Sequence, residues 1–106
     1  MAAKRLPPIH PGEILREEFL TPLRMSAHEL ALALRVPATR INDVVNEKRG
    51  ITADTALRLS RYFGTTSRFW MNMQTSYELE MAEDKLGAAV RREVLPRQKC
   101  DVGDAG

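Results

Sequence analysis

Apolar positions along this chain recur at three- and four-residue intervals and nowhere alternate strictly with polar ones over four or more residues, which predicts helices and no strands. A first helix is predicted over residues 11–20, with Pro11 at its first position, Ile14, Leu15, Phe19 and Leu20 on one stripe, and Arg16 and Glu17 opposite. Thr21-Pro22 should close it, because proline disfavours the helical conformation in the residue before it. Ser26-Ala27-His28-Glu29 is a capping-box pattern, in which the Ser and Glu side chains each serve a backbone N–H that the first turn leaves unpaired. It opens a second helix that buries Ala27, Leu30, Ala31 and Leu34. A third, from near Pro37 to about Glu47, buries Ile41, Val44 and Val45. Thr52 caps a fourth, with Ala56, Leu59 and Phe63 inward and Gly64 at its end. The last predicted helix covers roughly 66–84 and carries Trp70, Met73, Tyr77 and Met81 on one stripe.

Three segments follow from this pattern: a mobile N-terminal arm over 1–9, a helical domain over 10–84 ending in the long helix, and a partly helical or disordered tail over 85–106. The second and third helices are short and joined by a tight turn, and Ala31 is small enough to let them cross closely. That is the design of a helix-turn-helix, whose second helix enters the DNA major groove.

With Ile41, Val44 and Val45 inward, the outward arc of the third helix holds Thr39, Arg40, Asp43, Asn46 and Glu47, with Asn42 at its edge. Arg40 can bond a guanine edge twice, Asn42 or Asn46 an adenine, and Asp43 can accept from a cytosine amino group. Thr39 can meet a phosphate or a thymine methyl. Arg35 precedes this helix and Lys48 and Arg49 follow it, so its flanks suit backbone phosphates. The helix starts at Ser26 and Thr52 offer further N–H groups to phosphate.

Composition narrows the function classes. A chain of 106 residues with 43% hydrophobic and 28% charged residues suits one folded domain. Its net charge of +2 is small, so attraction to nucleic acid has to come from clustering. The one cysteine, Cys100, has no partner for an internal disulfide and reads as an incidental thiol of the tail. No Cys/His group has zinc-ligand spacing, and no cofactor or metal is expected. His28-Glu29 begins like a zinc-protease motif, but Leu32 stands where its second histidine belongs. No convergent catalytic set is visible, so the chain is not expected to be an enzyme. Glu78, Glu80, Glu83 and Asp84, with the later Arg91-Arg92, read as a solvated charged face. No apolar run approaches the ~20 residues that span a bilayer, and Met1 to Pro8 lacks the apolar core of a signal peptide, so a cytoplasmic location is expected.

The stretch His10-Pro11-Gly12-Glu13-Ile14-Leu15-Arg16-Glu17-Glu18-Phe19-Leu20 resembles the opening signature of HigA-type antitoxins, in the Cro/repressor-like (XRE) helix-turn-helix class. Arg40-Ile41-Asn42, the run Arg49 to Leu59, Tyr62-Phe63-Gly64 and Phe69-Trp70 extend the resemblance over roughly 9–83. It implies an all-α, lambda-repressor-like domain of about five helices. It also implies a homodimer that binds an operator palindrome in its own promoter and neutralises a HigB-like toxin, an mRNA-cleaving endoribonuclease. The Trp70, Met73, Tyr77 and Met81 stripe is a candidate dimer interface as well as core. The arm and residues 85–106 are candidate toxin-binding segments. Where the family usually has glycine in the turn, this chain has Arg35; a left-handed backbone there costs of the order of 1 kcal/mol. A repressor without a toxin would use the same DNA face and is the alternative reading.

Overall fold

The computed structural model describes residues 7–97, and among these it holds five helices and no strand. The first six residues of the expected arm, Cys100 and the end of the expected tail lie outside the described residues. Helix α1 covers residues 11–23, with α-helical turns at Pro11–Ile14 and Thr21–Leu23 around a π-helical stretch at Leu15–Leu20. Helices α2 (Ala27–Leu34), α3 (Ala38–Val45), α4 (Ala53–Phe63) and α5 (Ser67–Glu93) follow.

Thr21-Pro22 does not close α1. Thr21 is helical, at φ −61° and ψ −49°, and its N–H reaches the Arg16 carbonyl five residues back. In a regular helix the Pro22 ring would strike the carbonyl four residues earlier; the wider π turn accommodates it. The helix ends instead at Arg24, which turns left-handed at φ 55°.

The capping signals correspond to observed caps. Ser26 Oγ accepts from the Glu29 N–H at 3.0 Å while Glu29 Oε1 accepts from the Ser26 N–H at 2.8 Å. The Thr52 side chain caps α4, and Gly64 (φ 76°) ends it. Arg35 is left-handed, at φ 62° and ψ 45°, in the turn between α2 and α3. Its N–H bonds the Leu32 carbonyl at 3.2 Å and the Val36 N–H bonds that of Ala31 at 3.1 Å, the paired closure of a Schellman motif. Glu47 repeats this after α3, so that helix stops at Val45, before the expected Glu47.

The core is built from Leu15 and Leu20 of α1, Leu30, Ala31 and Leu34 of α2, Ile41, Val44 and Val45 of α3, Ala56 and Leu59 of α4, and Trp70 of α5. Trp70 is 0% exposed; its indole N–H donates to Thr65 Oγ1 at 2.7 Å, and Phe19 and Phe69 lie 5.1 and 5.0 Å from it. No part of Trp70 is left for a second subunit, which removes it from the expected dimer contact. Buried Gln74 anchors the loop after α3: its Oε1 accepts from the Ile51 N–H at 2.7 Å, and its carboxamide fills the space a Cβ on Gly50 would take. The last helix continues past Asp84 to Glu93, with Leu86 and Val90 exposed along this extension and Leu79 exposed before it.

Two substitutions should move stability in opposite directions. A Cβ on Gly12 would lie 1.8 Å from the Val44 carbonyl oxygen, a backbone atom that cannot step aside. Gly12→Ala is expected to cost about 2–3 kcal/mol in denaturant unfolding. Arg35→Gly relieves left-handed strain and is expected to stabilise by about 0.5–1 kcal/mol.

Candidate nucleic-acid interface

Among the described residues helices α2 and α3 make the most extensive helix contact, and α3 presents to solvent the side that its sequence leaves polar. Thr39, Asn42 and Asn46 are exposed along it, while Arg40 and Asp43 are half-buried beside them. Arg35 is exposed in the turn before α3, and Lys48 and Arg49 are exposed directly after it. The predicted base-reading and phosphate-binding side chains therefore border one helix. Ser26, at the start of α2, is exposed but already accepts the capping bond, so its hydroxyl hydrogen is what remains for a phosphate.

Arg40 is not a free side chain: its Nη1 donates to Asp54 Oδ2 in the first turn of α4. The same carboxylate accepts from Arg58 Nε, 3.2 Å from each oxygen, and Arg58 Nη1 donates to the Leu34 carbonyl at 2.8 Å. The hydrogen bonds from Arg40 and then Arg58 hold the Asp54 carboxyl below its ordinary pKa. The spacing of Asp54 and Arg58, four residues apart on one helix, is a legible signal for their pairing. The pairing of Asp54 with Arg40 joins two helices and has no such signal.

The C-terminal end of α3 is gripped by α1. Gly12 abuts the Val44 carbonyl, Arg16 Nη1 donates to the Val45 carbonyl, and Arg16 Nη2 lies 3.6 Å from Glu47 Oε2. Arg16 is expected from periodicity to face solvent with Glu17, and it bonds that residue too, at 3.0 Å. Its second role depends on where α3 ends. His10 caps α1 through Nδ1, which accepts from the Gly12 N–H at 2.8 Å, and its ring meets Tyr77 of α5 edge-on at 4.8 Å. Burial lowers the His10 pKa, against a smaller opposing pull from Glu47.

Of the stripe expected to serve dimer contact, Met73 and Tyr77 are half-buried and line an apolar groove of about 600 Å³ with Pro7, Ile9 and Ile14, while Met81 is exposed. Among the described residues no group of three or more His, Cys, Asp or Glu could hold a metal ion, and no helix is long and apolar enough to cross a membrane.

A helix-turn-helix family model matches residues 15–70. Virulence-associated protein I of Dichelobacter nodosus is 65% identical over 78 residues, covering 74% of this chain and 72% of that protein. Antitoxin HigA-1 of Vibrio cholerae serotype O1 is 33% identical over 72 residues, 68% of each chain. Among solved structures, the Pseudomonas aeruginosa antitoxin HigA with the higBA promoter superposes with a TM-score of 0.83 at 50% identity, over 86% of this chain and 99% of that one.

Stability should depend on pH through His10. Its folded pKa lies below the ordinary 6.5, so the unfolded chain takes up a proton more readily. The contribution is whole above about 6.5 and is lost as pH falls from there through the folded value. Subtracting the pH profile of His10→Asn, which keeps a capping acceptor that does not titrate, should isolate that loss; parallel profiles would contradict it.

Proposed function

The chain belongs to the HigA group of helix-turn-helix antitoxins, a family of regulators and not of enzymes, and we propose that it binds its own operator through α3 and neutralises a HigB-like endoribonuclease toxin by direct contact. One observation carries the DNA half of this reading. Thr39, Asn42 and Asn46 line the exposed side of a rigidly held α3, with Arg40 and Asp43 beside them and exposed Arg35, Lys48 and Arg49 at its ends. Groups that discriminate bases sit in the middle, and groups that bind phosphate flank them. A relative half identical in sequence has been solved with a promoter.

The toxin half is supported by kinship with antitoxins, and the arm and residues 85–106 are its proposed contact segments. The working unit is a cytoplasmic homodimer whose two α3 helices read half-sites about one helical turn (~34 Å) apart. Met73, Tyr77 and Met81 are its proposed contacts, and the exposed Leu79, Leu86 and Val90 add apolar surface along the same helix.

Arg40→Ala should weaken binding to the operator about tenfold while changing affinity for scrambled DNA far less. Lys48→Ala and Arg49→Ala should weaken both duplexes alike and lower the salt slope by about 1 each. Equal losses on both duplexes for Arg40→Ala would remove it from base reading. Co-expression with the product of the neighbouring reading frame should yield a complex and relieve that product's toxicity. A neighbour that neither binds nor harms the cell would favour a repressor without a toxin.

A further inference from the structure

We propose that Asp54 is a specificity-determining positioning residue, which fixes the Arg40 guanidinium so that its free edge is presented to a guanine of the operator. The proposal rests on the reading of α3 as the DNA-contacting helix. Asp54 lies 14 residues beyond Arg40, on a different helix, yet its Oδ2 takes Arg40 Nη1. The carboxylate is itself held: Arg58 Nε is 3.2 Å from both of its oxygens, and Arg58 Nη1 is anchored 2.8 Å from the Leu34 carbonyl. That carbonyl belongs to the last turn of α2, where helix geometry leaves acceptors without an intrahelical donor. A chain of bonds thus runs from the backbone of the turn, through α4, to the base-reading side chain of α3.

A guanidinium carries five N–H donors in a rigid planar fork. With Nη1 engaged by Asp54, the Nη2 and Nε edge remains, and two parallel donors are what guanine O6 and N7 accept. Holding a long side chain in one rotamer before binding shifts its ordering cost from the complex to the folded protein. Stability does not account for the arrangement, since the Asp54 side chain is 52% exposed and exposed ion pairs contribute little to folding. A carboxylate beside a DNA-reading arginine also repels phosphate. It therefore costs affinity for every sequence, and discrimination is the compensating gain.

That opposition of sign provides the test. Fluorescence anisotropy at one fixed salt concentration would compare the duplex upstream of this chain's own reading frame with a scrambled duplex of equal length. Asp54→Ala should lower the ratio of the two affinities by roughly 3- to 10-fold while tightening binding to scrambled DNA. Its thermal midpoint should move by less than about 4 °C. Asp54→Asn, which keeps an oxygen acceptor but no charge, should fall between it and the parent and provides the reading if the alanine variant folds poorly. In an Arg40→Ala background, Asp54→Ala should change the ratio by less than about twofold, because the two residues act as one unit.

If Arg40→Ala lowers the ratio but Asp54→Ala does not, or if Asp54→Ala weakens both duplexes in parallel, the positioning role is overturned and DNA reading by α3 stands. If Arg40→Ala itself leaves the ratio unchanged, the reading beneath the proposal fails with it.

Discussion

The grip of α1 on the carbonyl end of α3 is the constraint on which the rest of this structure depends. Ile41, Val44 and Val45 bury the inner side of α3, and its carbonyl end is held by two further contacts from α1. The absence of a Cβ at Gly12 admits the Val44 carbonyl, and Arg16 takes that of Val45. Both contacts are to backbone, so they set the position of α3 independently of the side chains it offers to a ligand. The π stretch in α1 belongs to the same design. It carries the helix through Pro22, so that α1 runs on to Arg24 and its turn instead of breaking at Thr21.

This arrangement separates the contacts that hold α3 from the side chains proposed to read DNA. The contacts that hold α3 are apolar side chains and main-chain oxygens on its inner side and C-terminal end. The groups that face outward are short amides, a hydroxyl, the Asp43 carboxylate and one arginine, and none of them makes the contacts that hold the inner side of the helix. Arg40 joins the two sets, since it is tied through Asp54 and Arg58 to the backbone of α2. The left-handed turns at Arg35 and Glu47 add to this economy of length. Each closes a helix within two residues, and in so doing leaves a charged side chain exposed at an end of α3.

Much of the fold was legible because it is written in local chemistry. The capping box at Ser26, the Thr52 cap, the Gly64 stop and the periodic burial of Ile41, Val44 and Val45 each involve residues within a turn of one another. The polar arc from Thr39 to Asn46 follows from the same periodicity. Thr21-Pro22 misled because the preference against helix before proline assumes regular α geometry, and a π turn relaxes it. Trp70 reads as core and as candidate interface at once because a helical stripe specifies a side and not its occupant; its complete burial, with Phe19 of α1 and Phe69 of its own helix against the indole, leaves the core reading. Arg16, Asp54 and Gly12 escaped as site residues because their partners are 29, 14 and 32 residues away. Only the packing of α1 and α4 around α3 brings them there.

The central claim is that α3, held in this way, discriminates among DNA sequences. It is tested most directly by titrating the intact chain, at physiological salt, against the duplex upstream of its own reading frame and against a scrambled duplex. An affinity ratio of about 10³ or more, retained as salt is raised while both affinities fall, is the result expected of a specific operator protein. Equal affinities that fall together with salt would mean that the exposed side of α3 carries charge and no sequence reading, and would contradict the account.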